Sequence, residues 1–406
     1  MRFLYRFIVF FIILLLSFYL IKFPLPDNAD DILAGLTDPV RDQYSVQQGI
    51  SRDCISDSQK LLYDVIYSCI DNELEKILLP MKGYTENDME AVLLSLMNDC
   101  PDFFWMDFSE CAFSTDDNGI TVKFRYLYTG NQLKEMRTAL ENEVNAIVKG
   151  TVAKRFQTEY EKAVFVHDSI AMMCRYDKSL KEADIHNAYG ALVRQSAVCD
   201  GYAHAYQLVL KELGIECYYV TGDARGPDGA EGHAWNIVKL DGVYTSVDLT
   251  WDDIDGYMFE SFIAPGEDIT SHIYFGISED EMRQTHKADE KRVSPLPKAL
   301  DMNWFNYMGL SGDTPEEIVD MTSEVLIENI NKTVPYVEIR LTDPVVFREF
   351  LETYSGEIID AANAKLEQQG ADERFEREMT CFVTSEEKGC VLIVIELGGG
   401  SRDSHT

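Results

Sequence analysis

The chain has 406 residues, of which 46% are apolar, 11% aromatic and 26% charged, a composition that excludes wholesale disorder and fibrous repeats. Lysine and arginine number 36 and aspartate and glutamate 70, so the formal net charge is −34. A surface this acidic repels phosphate backbones and argues against nucleic-acid binding. At about 100–200 residues per domain, the length predicts two or three domains.

The N-terminus, residues 1–25, predicts a membrane anchor. Two arginines precede an uncharged apolar run over residues 7–21, and Lys22 follows it. With the flanking phenylalanines and a snorkelling Arg6, the helix approaches the length that a hydrocarbon core of about 30 Å requires. A cleaved signal peptide is the alternative, although no small-residue cleavage pattern follows the run. Both alternatives predict export, either as a single-pass protein whose chain is extracellular or as a secreted protein.

Residues 26–58 are polar, contain scattered proline and glycine, and indicate a linker. Residues 59–150 predict an N-terminal α+β unit in which we identify no chemistry. The predicted elements of this unit are helices over 61–74, Asn87–Met97 and Leu133–Val148 and strands Phe103–Met106 and Thr121–Tyr128. A long helix over Thr151–Cys174 follows. His167 lies on its apolar stripe, which favours a buried core histidine over a catalytic one.

Residues 301–397 predict a separate C-terminal α/β unit, and residues 398–406 a tail. The predicted elements of this unit are helices Thr314–Asn331 and Asp343–Tyr354 and strands Tyr336–Leu341, Met379–Thr384 and Cys390–Glu396. The chain has nine cysteines and no C-x-x-C pair, which excludes a zinc ribbon and a thioredoxin-like motif. Cys381 and Cys390 flank a turn-like segment and could face each other across a hairpin, but the sequence leaves disulfide pairing open.

Residues that carry chemistry concentrate between 187 and 255, beginning with Cys199. The segment from Ala203 to Leu213 has helical periodicity, so Cys199 lies at a helix N-terminus. Unsatisfied N–H groups and the positive end of the helix dipole favour a thiolate there, whereas the neighbouring Asp200 opposes it. Cys199 therefore needs a cationic partner to act as a nucleophile. Taken alone, it is better explained as a small buried cysteine.

A predicted hairpin supplies the partner. Its strands are Gly232–Leu240 and Val243–Trp251. The turn signal Asp241-Gly242 joins them and sets the register, so that His233 and Asp248 fall on one face of the sheet as diagonal neighbours. The carboxylate could then hold one imidazole nitrogen while the other nitrogen faces a nucleophile.

Four segments of this region carry recognisable motifs: Asn187–Val193, Ala197–Ala203, Gly232–Asn236 and Val247–Asp252. Together they resemble the transglutaminase-like superfamily, most closely its bacterial members that are exported or membrane-anchored. The resemblance implies a papain-like α+β core over residues 151–300, with a cysteine-bearing helix packed on an antiparallel sheet. It further implies that Cys199 is the nucleophile, His233 the general base and acid, and Asp248 the residue that orients the histidine.

Two parts of this site stay open. Such sequences often have a glycine shortly before the cysteine motif, where this chain has Arg194-Gln195-Ser196. That departure bears on the oxyanion hole, for which the candidate donors are the Cys199 backbone N–H, Gln195 and Tyr189. Candidates for the walls of a substrate cleft are Trp235, Trp251 and Tyr202, although buried aromatic residues are as common in a protein core.

The sequence therefore predicts a transglutaminase-like cysteine enzyme that acts on amide bonds through a thioester. We expect hydrolysis, as in a peptidase or amidase, because water is always present and its exclusion needs a built tunnel. The alternatives are a protein-glutamine transglutaminase and a catalytically idle binding or scaffold module at the cell surface. The chemistry needs no metal and no organic cofactor. The expected partners are an extracellular protein or cell-wall peptide as substrate and the membrane through the N-terminal helix, with no nucleic acid.

Overall fold

The structure is a computed structural model that describes residues 49–79, 83–116, 119–226, 229–253, 270–289, 295–298, 302–330, 336–353, 355–371, 374–385 and 388–397. The predicted anchor, residues 1–25, and tail, residues 398–406, lie outside these ranges. Within them, no helix combines the length and the apolar character needed to cross a bilayer. The chain divides into two compact units. The first holds the chain up to Thr250 together with Glu279–Pro297, and the second holds Trp251–Ser278 together with the chain from Lys298.

The described helices are α1 Ile50–Cys54, α2 Asp57–Asp71, α3 Glu86–Asp99, α4 Gly130–Lys154, α5 Glu159–Met173, α6 Cys199–Glu212, α7 Leu249–Asp252, α8 Glu279–Met282, α9 Trp304–Met308, α10 Pro315–Glu328, α11 Pro344–Thr353 and α12 Ser355–Gln368. The described strands are β1 Lys76–Leu79, β2 Ala112–Asp116, β3 Gly119–Lys123, β4 Arg175–Tyr176, β5 Ser196–Ala197, β6 Cys217–Gly226, β7 Gly229–Leu240, β8 Val243–Val247, β9 Phe275–Ile277, β10 His286–Ala288, β11 Ser311–Gly312, β12 Tyr336–Leu341, β13 Phe375–Ser385 and β14 Cys390–Leu397.

A helix is present earlier in the chain than the sequence predicts. Helix α1 starts at Ile50, inside the segment 26–58 that we assigned to a linker. The Arg52 guanidinium donates two hydrogen bonds of 2.7 Å to the carboxylate of Asp64, and the carboxylate of Asp99 accepts two backbone N–H groups of α1. The linker prediction is therefore wrong from residue 50 on. Composition alone does not show that the polar residues of this segment are bonded to the folded unit.

The N-terminal sheet has the antiparallel order β1-β3-β2. The predicted strand Phe103–Met106 is instead a pair of turns with an isolated bridge from Met106 to Tyr126. Phe103, Phe104 and Trp105 are all buried on successive positions, so their aromatic character reflects core packing and not the alternation of a strand. The second predicted strand, over 121–128, ends at residue 123.

The break between α4 and α5 lies later in the chain than predicted. The sequence predicts that one helix ends at Val148 and the next begins at Thr151. Helix α4 continues to Lys154 and ends where Arg155 adopts a left-handed φ of 58°. Helix α5 then begins after Thr158, whose side chain forms a capping box with Glu161. The cap signal lies inside a continuous helical pattern, so periodicity alone conceals the break.

Four strands of the first unit form a sheet in the order β10-β6-β7-β8, with each neighbouring pair antiparallel. The predicted hairpin and its register are confirmed, because Leu240 pairs with Val243 at the turn. Asp241 and Gly242 have φ values of 50° and 90°, as a two-residue turn of type I′ requires.

The returning strand is shorter than predicted. β8 ends at Val247 and α7 begins at Leu249, so the predicted strand over 243–251 is wrong beyond residue 247. Asp248 lies in the connection, where its Oδ1 accepts the N–H of Thr250 at 3.1 Å. Such a bond is typical of an aspartate that starts a helix, and a residue in this role has left the strand register.

Helix α6 is tied to both of its neighbours by hydrogen bonds. Asn236 on β7 donates from Nδ2 to the carbonyl of Ala203 at 3.1 Å, and the hydroxyl of Tyr206 donates to the carbonyl of Ala163 on α5 at 3.2 Å. These bonds are buried, where the loss of one partner is costly. They hold the N-terminal half of α6 against β7.

The second unit contains a sheet in the order β11-β12-β14-β13, in which only β11 and β12 run parallel. The predicted hairpin of the last two strands forms, but Cys381 pairs with Ile393 and Cys390 pairs with Ser385. Cys390 is a buried free thiol. The two cysteines therefore do not face each other, because the turn is placed asymmetrically between them.

Glu338 on β12 gives the second unit a predicted pH dependence. Its side chain accepts the Ser271 hydroxyl at 2.7 Å and the His272 N–H at 2.9 Å, and burial raises its pKa to about 7. The folded carboxyl is neutral at pH 5, where the unfolded one is already ionised. We therefore expect the free energy of unfolding to fall as the pH rises from about 4.5 through 7, by about 3 kcal/mol.

Urea unfolding at pH 5 and pH 8 measures this change. The variant Glu338→Gln should lose most of the pH dependence, because it has no carboxyl to ionise. An equal dependence in the wild type and in Glu338→Gln would assign it to other groups.

Candidate active site

Cys199 is the first residue of α6, as the sequence predicts. Its side chain is 6% exposed and packs in a cluster with Ala203 of the same helix, Tyr219 of β6 and Ala234 of β7. Met97, at the end of α3, is half-buried and packs against this cluster. The N-terminal part of the first unit therefore contacts the surroundings of the thiol.

Gly201 explains how the chain before α6 approaches the helix so closely. A Cβ at Gly201 would lie 2.5 Å from the carbonyl oxygen of Ile185 and 2.7 Å from the Cβ of Ala197. The same Ile185 carbonyl accepts the N–H of Val198 at 2.9 Å, immediately before the cysteine. The glycine thus permits the hydrogen bond that places the first turn of α6.

His233 on β7 joins the thiol to a carboxylate. Its Nε2 donates to Oδ2 of Asp248 at 2.8 Å, and the Cys199 thiol lies close enough to the ring for each group to shift the pKa of the other. Because Nε2 faces the carboxylate, Nδ1 is the nitrogen that faces Cys199. The structure therefore brings Cys199, His233 and Asp248 together, although Asp248 arrives from a helix start and not from the predicted strand.

His286 on β10 is the residue that sequence reasoning missed. Its Nε2 lies 3.0 Å from Oδ2 of Asp248, the same oxygen that His233 contacts. Its Nδ1 lies 2.8 Å from the Thr285 hydroxyl. No local motif marks His286, because β10 reaches the site by pairing with β6, about 60 residues earlier in the chain.

Burial dominates the titration of this group. It raises the pKa of the Cys199 thiol, and Asp200 adds to the rise, whereas His233 and the Ala234 N–H oppose it. Burial also disfavours the His233 imidazolium, but the charges of Asp248 and Cys199 outweigh it and raise the pKa of His233 well above its usual value. Although burial disfavours the Asp248 carboxylate too, His233 and His286 hold its pKa well below the usual range.

The helix N-terminus therefore does not by itself produce a thiolate at Cys199, and the thiol relies on His233 to oppose the effect of burial. Burial favours the neutral thiol and the neutral imidazole alike. The Asp248 carboxylate is the group that draws the proton shared by Sγ and Nδ1 towards the imidazole.

The neighbouring histidines have other partners. His186 hydrogen-bonds through Nδ1 to Asp200 at 2.9 Å, and the Tyr219 hydroxyl donates to the same carboxylate at 2.8 Å. The His204 ring stacks on Tyr219 with centroids 4.1 Å apart, and burial lowers the pKa of His204 to about 4. His204 is therefore a weak base. His167 on α5 is fully buried, the position predicted for a core histidine.

The oxyanion candidates occupy different positions. Tyr189 is buried, and its ring stacks on Phe104 with centroids 5.1 Å apart. Gln195 is exposed and has a left-handed φ of 57°, a conformation that favours glycine. Gln195 thus adopts, at some cost, a backbone conformation that glycine would adopt freely. The Cys199 backbone N–H belongs to the first turn of α6, where N–H groups have no partner within the helix.

Two of the cleft candidates are core residues. Tyr202 is fully buried, and Trp235 is 2% exposed, with its ring centroid 6.3 Å from that of His233 and 5.1 Å from that of His286. The structure therefore does not support a cleft-wall role for either. Trp251 belongs to the second unit, where its ring meets that of Tyr274 edge-on at 5.1 Å.

His233, Asp248 and His286 offer ligand atoms that zinc accepts, and these atoms lie within 4.8 Å of one another. The two Nε2 to Oδ2 distances, 2.8 Å and 3.0 Å, are those of N–H···O hydrogen bonds. Ligands bound at about 2.0–2.1 Å to a tetrahedral zinc ion lie about 3.3 Å apart. The spacing fits shared protons better than a bound metal.

The geometry defines a class of fold: an α+β core in which a helix that bears a cysteine packs on an antiparallel sheet that bears a histidine. Residues 148–249 match the family model of the transglutaminase-like superfamily. Over this stretch the chain is similar to that superfamily, and the described elements of the stretch form the α+β arrangement that the sequence predicts.

Two curated relatives and one solved structure show where the similarity lies. The Kyphoscoliosis peptidases of Mus musculus and Homo sapiens are each 35% identical over 65 residues, which is 14% of this chain and 10% of theirs. The chain therefore matches about a tenth of the length of these relatives. The crystal structure of a TGase is similar with a TM-score of 0.27 and 16% identity, covering 48% of this chain and 55% of that one.

Proposed function

We propose that the protein is a cysteine enzyme that cleaves amide bonds, with Cys199 as nucleophile, His233 as general base and acid, and Asp248 as the residue that orients His233. One observation carries the proposal: the Cys199 thiol lies beside the His233 imidazole, whose Nε2 is hydrogen-bonded to the buried Asp248 carboxylate, so that the three groups form a path for a proton. A structural cysteine has no need of such a path. The similarity to the transglutaminase-like superfamily supports it as well.

The path can perform acyl transfer in two steps. The thiol proton moves to Nδ1 of His233 as Sγ bonds to the substrate carbonyl carbon, and the Cys199 N–H is placed to stabilise the oxyanion. His233 then returns the proton to the departing amine, which leaves a thioester on Cys199. A water molecule then gives one proton to His233 as its oxygen bonds to the thioester carbon. The bond between that carbon and Sγ breaks, the acid leaves, and His233 returns the proton to Sγ, which restores the thiol.

We favour water over an amine as the acceptor, because water is always present and its exclusion from a thioester requires a built tunnel. The proposal extends to export, which rests on the apolar run over residues 7–21, and to extracellular proteins or cell-wall peptides as substrates. Cross-linking of protein glutamine is the second reaction of the same thioester.

A peptide library incubated with the full chain, with and without a fluorescent primary amine, tests the reaction. The expected result is hydrolysis products without the amine, and no product with Cys199→Ala. Product only when the amine is present would assign the protein to transglutaminases. Equal activity of the wild type and Cys199→Ala would remove the proposal, and with it the role of the thiol.

A further inference from the structure

We propose that His286 is a positioning residue: its Nε2–H holds the Asp248 oxygen that also receives His233, and so keeps the His233 ring aligned with Cys199. This inference rests on the proposed function, since it assigns His286 a part in the same reaction.

Three hydrogen bonds hold the Asp248 carboxylate. Oδ1 accepts the Thr250 N–H at 3.1 Å, and Oδ2 accepts Nε2–H groups from His233 at 2.8 Å and from His286 at 3.0 Å. The side chains of Asp248 and His286 have no exposed surface. Loss of His286 removes one of the two Nε2–H donors to Oδ2, and with it one restraint on the carboxylate and on the His233 ring that binds the same oxygen.

The protons of both rings follow from this arrangement. An ionised carboxylate only accepts hydrogen bonds, so each Nε2 that faces Asp248 carries a hydrogen. Neutral His233 therefore has a bare Nδ1, the nitrogen that must take the thiol proton. Neutral His286 has a bare Nδ1 as well, and the Thr285 hydroxyl can donate to it across 2.8 Å.

A glycine on β6 allows the strand that bears His286 to pack closely enough to reach the site. His286 pairs with Ala224, and the next residue but one, Ala288, pairs with Gly222. A Cβ at Gly222 would collide with the carbonyl oxygen of Lys287. Gly222 therefore permits the close approach of β10, and on the other side of β6 the same residue pairs with His233.

The test compares two replacements of His286 in the full chain. The side-chain amide of His286→Gln keeps an N–H donor near the position of Nε2, whereas His286→Leu fills the space without a donor. We measure kcat and KM for amide hydrolysis, the rate of Cys199 alkylation by neutral iodoacetamide, and thermal unfolding. Lys287→Ala, an exposed neighbour on the same strand, is the matched control.

We expect His286→Leu to lower kcat and the alkylation rate by about 10- to 100-fold with little change in KM, as for a misplaced catalytic group. For His286→Gln, both rates should lie within about 3-fold of the wild-type values. For Lys287→Ala, both rates should equal those of the wild type. Equal losses in the leucine and glutamine variants, or no loss in either, would overturn the positioning role.

A second pair of variants covers the case in which His286→Leu does not fold. Thr285→Val removes the donor to Nδ1 and should lower kcat by about 2- to 5-fold, an order-of-magnitude expectation for one neutral hydrogen bond, while Thr285→Ser should not. A wild-type kcat in Thr285→Val would contradict the proposal.

The failure of the positioning role can be distinguished from the failure of the proposed function. If Cys199→Ala and His233→Ala lose activity but His286→Leu does not, only the role of His286 is removed. Activity in Cys199→Ala removes the proposed function instead.

Discussion

Replacement of His233 by alanine is expected to lower amide hydrolysis by about 10²- to 10⁴-fold, the usual contribution of a general acid and base. Alkylation of Cys199 at pH 6–7 should fall strongly as well. The physical reason is that burial and Asp200 raise the pKa of the Cys199 thiol, and His233 is the main group that opposes them. Asp248→Asn should slow alkylation less, because the ring remains but loses the charge that draws the shared proton.

Mass spectrometry of labelled peptides measures these rates for each cysteine in one experiment. His204→Gln is the matched control, since His204 lies on the same helix as Cys199 and its pKa is lowered to about 4 by burial. It should react at nearly the wild-type rate. If His233→Ala labels Cys199 as fast as the wild type does, the thiol is structural and the module is catalytically idle.

The second large effect concerns stability. Gly201→Ala is expected to lower the free energy of unfolding by about 3 kcal/mol or more, because its Cβ meets a backbone carbonyl and a neighbouring Cβ that cannot move aside cheaply. Gly150→Ala, inside α4 and four residues before its end at Lys154, is the matched control. A Cβ there meets only the Phe165 ring at 3.4 Å, and alanine is the better helix former by about 1 kcal/mol.

Urea unfolding followed by circular dichroism compares the two variants. The expected order of stability is Gly150→Ala at or above the wild type and Gly201→Ala far below it. A Gly201→Ala protein as stable as the wild type would mean that the segment before α6 does not pack as described.

Short-range signals carried most of what the sequence could predict. Asp241-Gly242 defines its own turn type, and the turn sets the register that places His233. Periodicity places Cys199 at the first position of α6. Asp248 was found for a partly wrong reason, since the extrapolated strand ends one residue before it and the side chain reaches His233 from a helix start.

Long-range pairings and burial account for what the sequence could not predict. His286 reaches the site only through the pairing of β10 with β6, which no local pattern encodes. The 6% exposure of Cys199 depends on Met97 and Tyr219, which come from elements that the sequence treats separately. The helix dipole acts locally and is visible in a motif, whereas the desolvation that outweighs it depends on the whole packed unit.

The thioester is the central claim, and intact-mass spectrometry of the full chain after rapid acid quenching tests it most directly. With an activated acyl ester as probe, the wild type should gain one acyl group, on the peptide that contains Cys199. Hydroxylamine should release that group, and Cys199→Ala should not acquire it. An acyl group found on another residue, or the same adduct in Cys199→Ala, would contradict the assignment of Cys199 as the nucleophile.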